Sequence, residues 1–279
     1  MYIENLVERW KIWGDIVRYN KTLDNICLWL VFLFLFLPIF VLIIFSFNTS
    51  RLNIVFEGFT LYWYGELFRN PMLLEALWNT LLVAAISTFV STIIGTMSSY
   101  ALKKFDFPMK KFINELLYIP VVIPEIVLGI SLLCVYALIK LELGMFTLIL
   151  SHIAFSIPYV IINVNSVMDT MNPNLEEAAS DLGASKIKTF FKIVLPSLLP
   201  GILSGAQLVF TLSLDDVVVS YFTAGPESNT LPLQVFSMIK TGVTPDVNAL
   251  ITILLLIIFI SLFISMSFSL RKIRREAKI

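Results

Sequence analysis

Three carboxylates lie deep inside apolar stretches of this chain. Glu125 closes the run Tyr118-Ile-Pro-Val-Val-Ile-Pro-Glu, and Asp215 and Asp216 sit side by side in Thr211-Leu-Ser-Leu-Asp-Asp-Val-Val-Val-Ser. An ionisable group at membrane depth is costly, so by default it marks a pathway or a site. No Lys or Arg falls within the apolar stretches to neutralise these acids, and adjacent carboxylates repel until a cation relieves them. The set suits a cationic solute and disfavours an anion. Helix-end solvation or structural hydrogen bonding is the other reading of the same residues.

Other chemistries lack their residues. No GxxxxGK[ST] phosphate loop occurs, so the chain has no recognisable nucleotide site of its own. A single histidine, His152, excludes HExxH zinc chemistry, and no GxSxG nucleophile turn is present. At the edge of an apolar stretch, His152 is expected to be an interfacial side chain rather than a ligand. The two cysteines, Cys27 and Cys134, both lie in apolar surroundings and read as small buried thiols rather than a disulfide framework. The chemistry expected here is passage, not catalysis.

The elements that must position the acids are membrane helices. The 279 residues are 58% hydrophobic and 14% charged, with a mean hydropathy of +0.87. A soluble domain of this size has no interior large enough for that apolar surface. Crossing a bilayer core takes roughly 20 apolar residues. Six stretches qualify, at approximately 26–47, 77–102, 112–138, 146–167, 198–222 and 249–270.

Positive charge orients them. Of the 20 Lys and Arg, 16 fall in the leader, the second-to-third and fourth-to-fifth connections and the tail, and 4 fall in the remaining connections. Cytoplasmic loops retain such charge, so both termini are expected in the cytoplasm. Residues 1–25 precede the first span, which is too long for a signal-peptide core and lacks a small-x-small cleavage site. Within this leader Leu6, Trp10, Trp13 and Val17 recur at helical spacing, as in an amphipathic helix on the membrane surface; an unstructured lead-in is the alternative. Residues 271–279 form a basic tail.

At about 1.5 Å of rise per residue, Glu125 lies roughly 20 Å and Asp215 roughly 26 Å from the cytoplasmic ends of their helices, a depth that lets them face one cavity. Pro120 and Pro124 interrupt the third span, and Pro200, Gly201 and Gly205 are expected to loosen the fifth; such breaks are tolerated where a helix lines a cavity. On the outer side Tyr62, Trp63 and Tyr64 offer aromatic faces for cations. An interfacial aromatic belt accounts for them equally well.

Between the fourth and fifth spans, residues 172–196 form a separate device. Asn174 and Glu177 have capping-box spacing, which starts a helix at Leu175. Leu175, Ala178, Ala179 and Leu182 give it one small apolar face. Gly183 can stop it in the left-handed conformation, and Ser185 can cap a second helix running to Pro196. Two turns are marginal alone in water, so the helix needs a partner.

The spaced set Glu177, Ala178, Ala179, Gly183, Ile193, Leu195 and Pro196 resembles the EAA signature of binding-protein-dependent ABC importer permeases. Resemblance to that family implies an all-α membrane protein with six transmembrane helices in the type I ABC importer fold. It implies a permease domain over 26–270, with the 172–196 loop as a coupling helix, Glu177 to Gly183, docked on an ATPase. It also implies two ATPase copies that bind ATP and Mg, a second homologous permease, an extracytoplasmic binding protein, surrounding lipid, no nucleic acid, and no cofactor in this chain.

Residues 210–250, with Gly225-Pro226, Leu231-Pro232-Leu233 and Gly242-Val-Thr-Pro-Asp, are similar to PotC-type permeases of spermidine/putrescine importers. That likeness implies polyamine passage by Trp63, Glu125, Ser213, Asp215 and Asp216. Glu125 departs from the Asp frequent at its position. Ferric ion, thiamine or another small solute is the alternative cargo. An ion-coupled secondary carrier is the rival from another class, and predicts broken spans paired in two repeated halves. An assembly or scaffold protein would leave the three acids unexplained.

Overall fold

The computed structural model describes residues 21–51, 54–238, 242 and 244–276. The leader expected to form an amphipathic helix lies almost wholly outside them. The chain divides into two compact units, 1–66 with 244–279 and 67–243.

In the first unit, α1 (Lys21–Phe45) and α11 (Pro245–Glu276) are long apolar helices that pack on one another. Between Phe45 and α2 (Tyr62–Leu67) the chain folds into a compact loop. Asn48 organises it: the side chain donates to Val55 O (2.7 Å) and accepts from the Glu57 amide (2.8 Å). Asn48 and Phe59 form a single antiparallel bridge.

The second unit is built on three helices, α3 (Pro71–Lys104), α6 (Met145–Met168) and α9 (Leu195–Asp215). Asn70 caps α3 by accepting from the Leu73 amide at 3.3 Å, and Pro71 takes the first helical position, where a missing N–H costs nothing. The three pack together on small residues, the usual solution where lipid tails compete with apolar side chains for contact. A Cβ on Gly95 would stand 2.6 Å from Val160 Cβ, and one on Gly201 would stand 2.8 Å from Asn163 O. Gly201 and Gly205 therefore serve close packing of α9 on α6. They do not loosen α9, which runs unbroken past Pro200.

Helix is interrupted at two places that matter here. Between α4 (Lys110–Val122) and α5 (Glu125–Leu138) the helix axis bends by 114°. Pro124 causes the break: it brings no N–H, and its ring drives Ile123 to an extended ψ of 138°. In the stretch expected as the fifth span, α9 ends at Asp215 and the chain becomes helical again at α10 (Val218–Thr223). Among the described residues, four helices are long and apolar enough to cross a bilayer, or five if the bent pair counts as one span.

Cys27 and Cys134 are exposed, contrary to the buried thiols expected. The apolar stretches that contain them face outward, because the solvent they are built for is hydrocarbon rather than the chain's own interior.

Candidate functional site

Both breaks deliver carboxylates. Glu125 opens α5, and Asp215 and Asp216 flank the end of α9. All three line one cleft of about 290 Å³, together with Pro120, Leu128, Phe155, Tyr159, Leu212 and Val217 to Val219. No Lys or Arg lines it. The shared cavity expected for these acids is therefore formed.

Within the cleft the acids differ. Asp216 is 6% exposed at its side chain. Its Oδ1 accepts from the Val219 amide (3.2 Å), and its Oδ2 accepts from the Ser220 amide and hydroxyl (2.7 Å each). These bonds cap α10, so the structural reading of an intramembrane acid holds at Asp216. Glu125 and Asp215 are exposed.

Behind Asp216 stands His152, which is 1% exposed and not interfacial as expected. Its Nδ1 is 2.7 Å from Ser213 Oγ, and its Nε2 is 3.0 Å from Ser220 Oγ and 3.5 Å from Asp216 Oδ2. Ser213 is buried in this cluster, with its hydroxyl 3.3 Å from Ser87 Oγ. The sequence carried a signal for this cluster. Ser213 and Ser220 are seven residues apart, two helical turns, with Asp216 between them, and they need a buried polar partner.

Trp63 belongs to the first unit. It is 7% exposed, and its Nε1 donates to Asn48 O at 2.6 Å. Tyr64 reaches Ser46 Oγ (2.8 Å) and lies against Phe47. Of the three aromatics, Tyr62 is the one with an exposed ring, edge-on to Trp63.

The 172–196 loop forms α7 (Leu175–Asp181) where expected. The capping box does not form, because Asn174 has helical angles (φ −86°, ψ −1°) and its side chain makes no cap. Instead Asn172 Oδ1 accepts from the Asn174 amide at 3.0 Å. Glu177 and Ala178 are exposed, Ala179 is buried, and Leu182 is 89% exposed. The apolar face is thus shared between the chain's own surface and the outside.

Gly183 ends α7 at φ +79°. Its amide donates to Ser180 O (2.8 Å) and that of Ala184 to Ala179 O (3.0 Å), the Schellman pattern that glycine permits. Ser185 caps α8 (Lys186–Thr189) as expected. That helix does not end at Pro196. A π turn, Phe190–Val194, leads straight into α9. The wider turn places Pro196 in the helix without the clash its ring would make with the carbonyl four residues back.

Sequence reasoning passed over Glu176. It accepts from Tyr100 Oη (3.2 Å) and pairs with Lys104 Nζ (2.7 Å), tying α7 to the end of α3. Lys103 pairs with Asp169 beside it.

Comparison with known proteins gives this arrangement a context. Residues 91–278 match the family described as "binding-protein-dependent transport system inner membrane component". The chain belongs to this family. Within it, the spermidine/putrescine transport system permease protein PotC of Escherichia coli is 43% identical over 224 residues, 80% of this chain and 85% of that protein. The putrescine transport system permease protein PotI of Escherichia coli is 38% identical over 236 residues, 82% of this chain and 84% of that one.

Among solved structures, a chain of a bacterial ABC transporter that imports the acidic polysaccharide alginate superposes with a TM-score of 0.70. It is 16% identical, with 90% of this chain and 96% of that chain covered. A chain of the MetNI methionine ABC transporter gives 0.58 at 18% identity, covering 71% and 96%. These likenesses establish the fold of ABC importer permeases. The family match takes in both the α7 loop and the cleft acids, while Trp63 lies before it.

Proposed function

We propose that this chain is the membrane subunit of an ATP-driven importer of polyamines such as spermidine and putrescine. The observation that carries the reading is the cleft itself. Two exposed carboxylates, Glu125 and Asp215, come from two different broken spans and meet apolar and aromatic walls with no cation among them. A polyamine is an extended polycation whose ammonium groups are separated by methylenes. Carboxylates at two places, Leu128 and Leu212 in the same lining, and the rings of Phe155 and Tyr159 suit that alternation. The similarity to PotC and PotI supports the same cargo.

In this reading six spans, with both termini in the cytoplasm, form a permease domain over 26–270. The domain works beside a second homologous permease and receives its cargo from an extracytoplasmic binding protein. Two ATPase subunits bind ATP and Mg and grip α7 through Glu177, Ala178, Leu182 and the turn at Gly183; Ala179 seats the helix. Their closure moves α7, and through the continuous α8, π turn and α9 it moves the helix that ends at Asp215. Glu125 and Asp215 meet the cation. Ser213 and Asp216 hold the break, and Trp63 holds the loop that presents Tyr62.

Competition for uptake tests the cargo. In vesicles holding the assembled complex and its binding protein, unlabelled putrescine and spermidine are expected to displace labelled spermidine, while thiamine and ferric ion leave it untouched. Displacement by thiamine or ferric ion, with none by putrescine, would replace the cargo and keep the machine.

A further inference from the structure

We infer that His152 is a positioning residue for the cation pathway: it locks the break between α9 and α10 so that Asp216 is held by the fold and Asp215 is left to the cleft. This rests on the proposed passage of a polycation through that cleft.

The hydrogen bonds have a direction. A carboxylate only accepts, so the Ser220 hydroxyl donates to Asp216 Oδ2. With that proton committed, Ser220 Oγ accepts at its 3.0 Å contact with His152, which makes Nε2 the donor. In a neutral ring Nδ1 is then the acceptor, and the Ser213 hydroxyl donates to it at 2.7 Å. A one-way chain of donors runs from Ser213, before the break, through His152 on α6, to Ser220 and Asp216 beyond it.

Each link has a structural consequence. Ser213 lies in the last turn of α9, so its bond to His152 fixes the azimuth at which that turn ends. Asp215, two residues later, leaves the helix in the direction that azimuth sets. On the far side, Ser220 and Asp216 fix where α10 begins. Because α6 is packed along both α3 and α9 through Val160 and Val164, the ring is mounted on the rigid part of the unit. Phe155, one turn along from His152 and 5.1 Å away between ring centroids, lines the cleft. His152 thus stands directly behind the wall without touching the cargo.

The test is uptake kinetics of radiolabelled spermidine by the assembled complex in proteoliposomes. His152→Leu removes both ring bonds and keeps an apolar body. It is expected to raise KM about tenfold, the scale of one hydrogen bond to a charged group, with Vmax changed much less. His152→Gln, whose amide can donate toward Ser220, is expected to recover most of the loss. In an Asp215→Asn background His152→Leu is expected to add nothing to KM, because the histidine acts through Asp215.

Parallel falls in Vmax, or additive effects of the two substitutions on KM, would overturn the positioning role and leave His152 as packing. Should the leucine variant fail to assemble, Ser220→Ala deletes one hydroxyl of the chain and is expected to shift KM in the same direction; an unchanged KM there also overturns the inference. Asp215→Asn alone separates the two claims. If it leaves KM unaltered the polycation reading fails, whereas a raised KM there with a wild-type value in His152→Leu refutes only the positioning.

Discussion

Asp215 and Asp216 are adjacent in the chain and turned to different tasks. Asp215 is exposed in the cleft, while both oxygens of Asp216 accept from the amides and hydroxyl of the turn that follows. A pair that sequence alone treats as one charged patch is divided by where the helix stops. The division predicts opposite outcomes for the same substitution. Asp216→Ala leaves two amides and a buried hydroxyl without acceptors and is expected to cost about 1–3 kcal/mol, seen as a lowered Tm of the solubilised complex. Asp215→Ala is expected to leave Tm close to wild type.

Close helix packing gives a second prediction. Gly201→Ala puts a methyl 2.8 Å from Asn163 O on α6, where the neighbour is backbone and has little room to yield. A loss of about 1–3 kcal/mol is expected. Gly65→Ala meets nothing within 4 Å and is the matched control, with Tm unchanged or slightly raised. Equal Tm values for the two variants would mean that α6 and α9 do not approach as closely as described.

Glu176 links α7 to Tyr100 and Lys104 at the C-terminal end of α3. Pairs this exposed contribute only about 0–1 kcal/mol, so Glu176→Gln is expected to leave Tm almost unmoved. If α3 receives motion from α7 through this link, transport per ATP hydrolysed should fall in that variant. An unchanged ratio of uptake to hydrolysis would assign the transmission to the α8, π turn and α9 route alone.

In the first unit, Trp63→Phe keeps the ring and loses the 2.6 Å bond to Asn48 O. A cost of about 0.5–1.5 kcal/mol is expected. Because the loop from Phe47 to Thr60 is organised around Asn48, faster proteolytic cleavage within it is the direct readout. Cleavage at the wild-type rate would remove the anchoring role given to Trp63.

Much of this architecture was legible in the sequence because its causes are local. Apolar length marks the long helices, Pro124 marks the kink that brings Glu125 forward, and Gly183 with Ser185 marks the turn between α7 and α8. The break at Asp216 has neither proline nor glycine to announce it, and lies before a run of three valines. Its cause is tertiary: His152, more than 60 residues away, satisfies the hydroxyls on both sides. The same limit explains His152 itself, which by sequence position sits at a span edge and by packing sits at the centre. Capping-box spacing pairs Asn174 with Glu177, but the side chain of Asn172 accepts from the Asn174 amide instead and Glu177 stays exposed.

Broken spans alone also suit an ion-coupled carrier. Here the family match and the similarity to PotC and PotI decide for an ATP-driven machine.

The most direct measurement is initial-rate uptake of radiolabelled spermidine at low concentration by the reconstituted complex, supplied with ATP, for the wild type and for Glu125→Gln combined with Asp215→Asn. ATP-dependent uptake that falls by an order of magnitude or more in the double variant, with equal amounts of assembled complex, is the expected result; the scale follows from removing two oriented charges worth about 1 kcal/mol or more each. Spermidine entry at the wild-type rate through a cleft stripped of both charges would contradict the account.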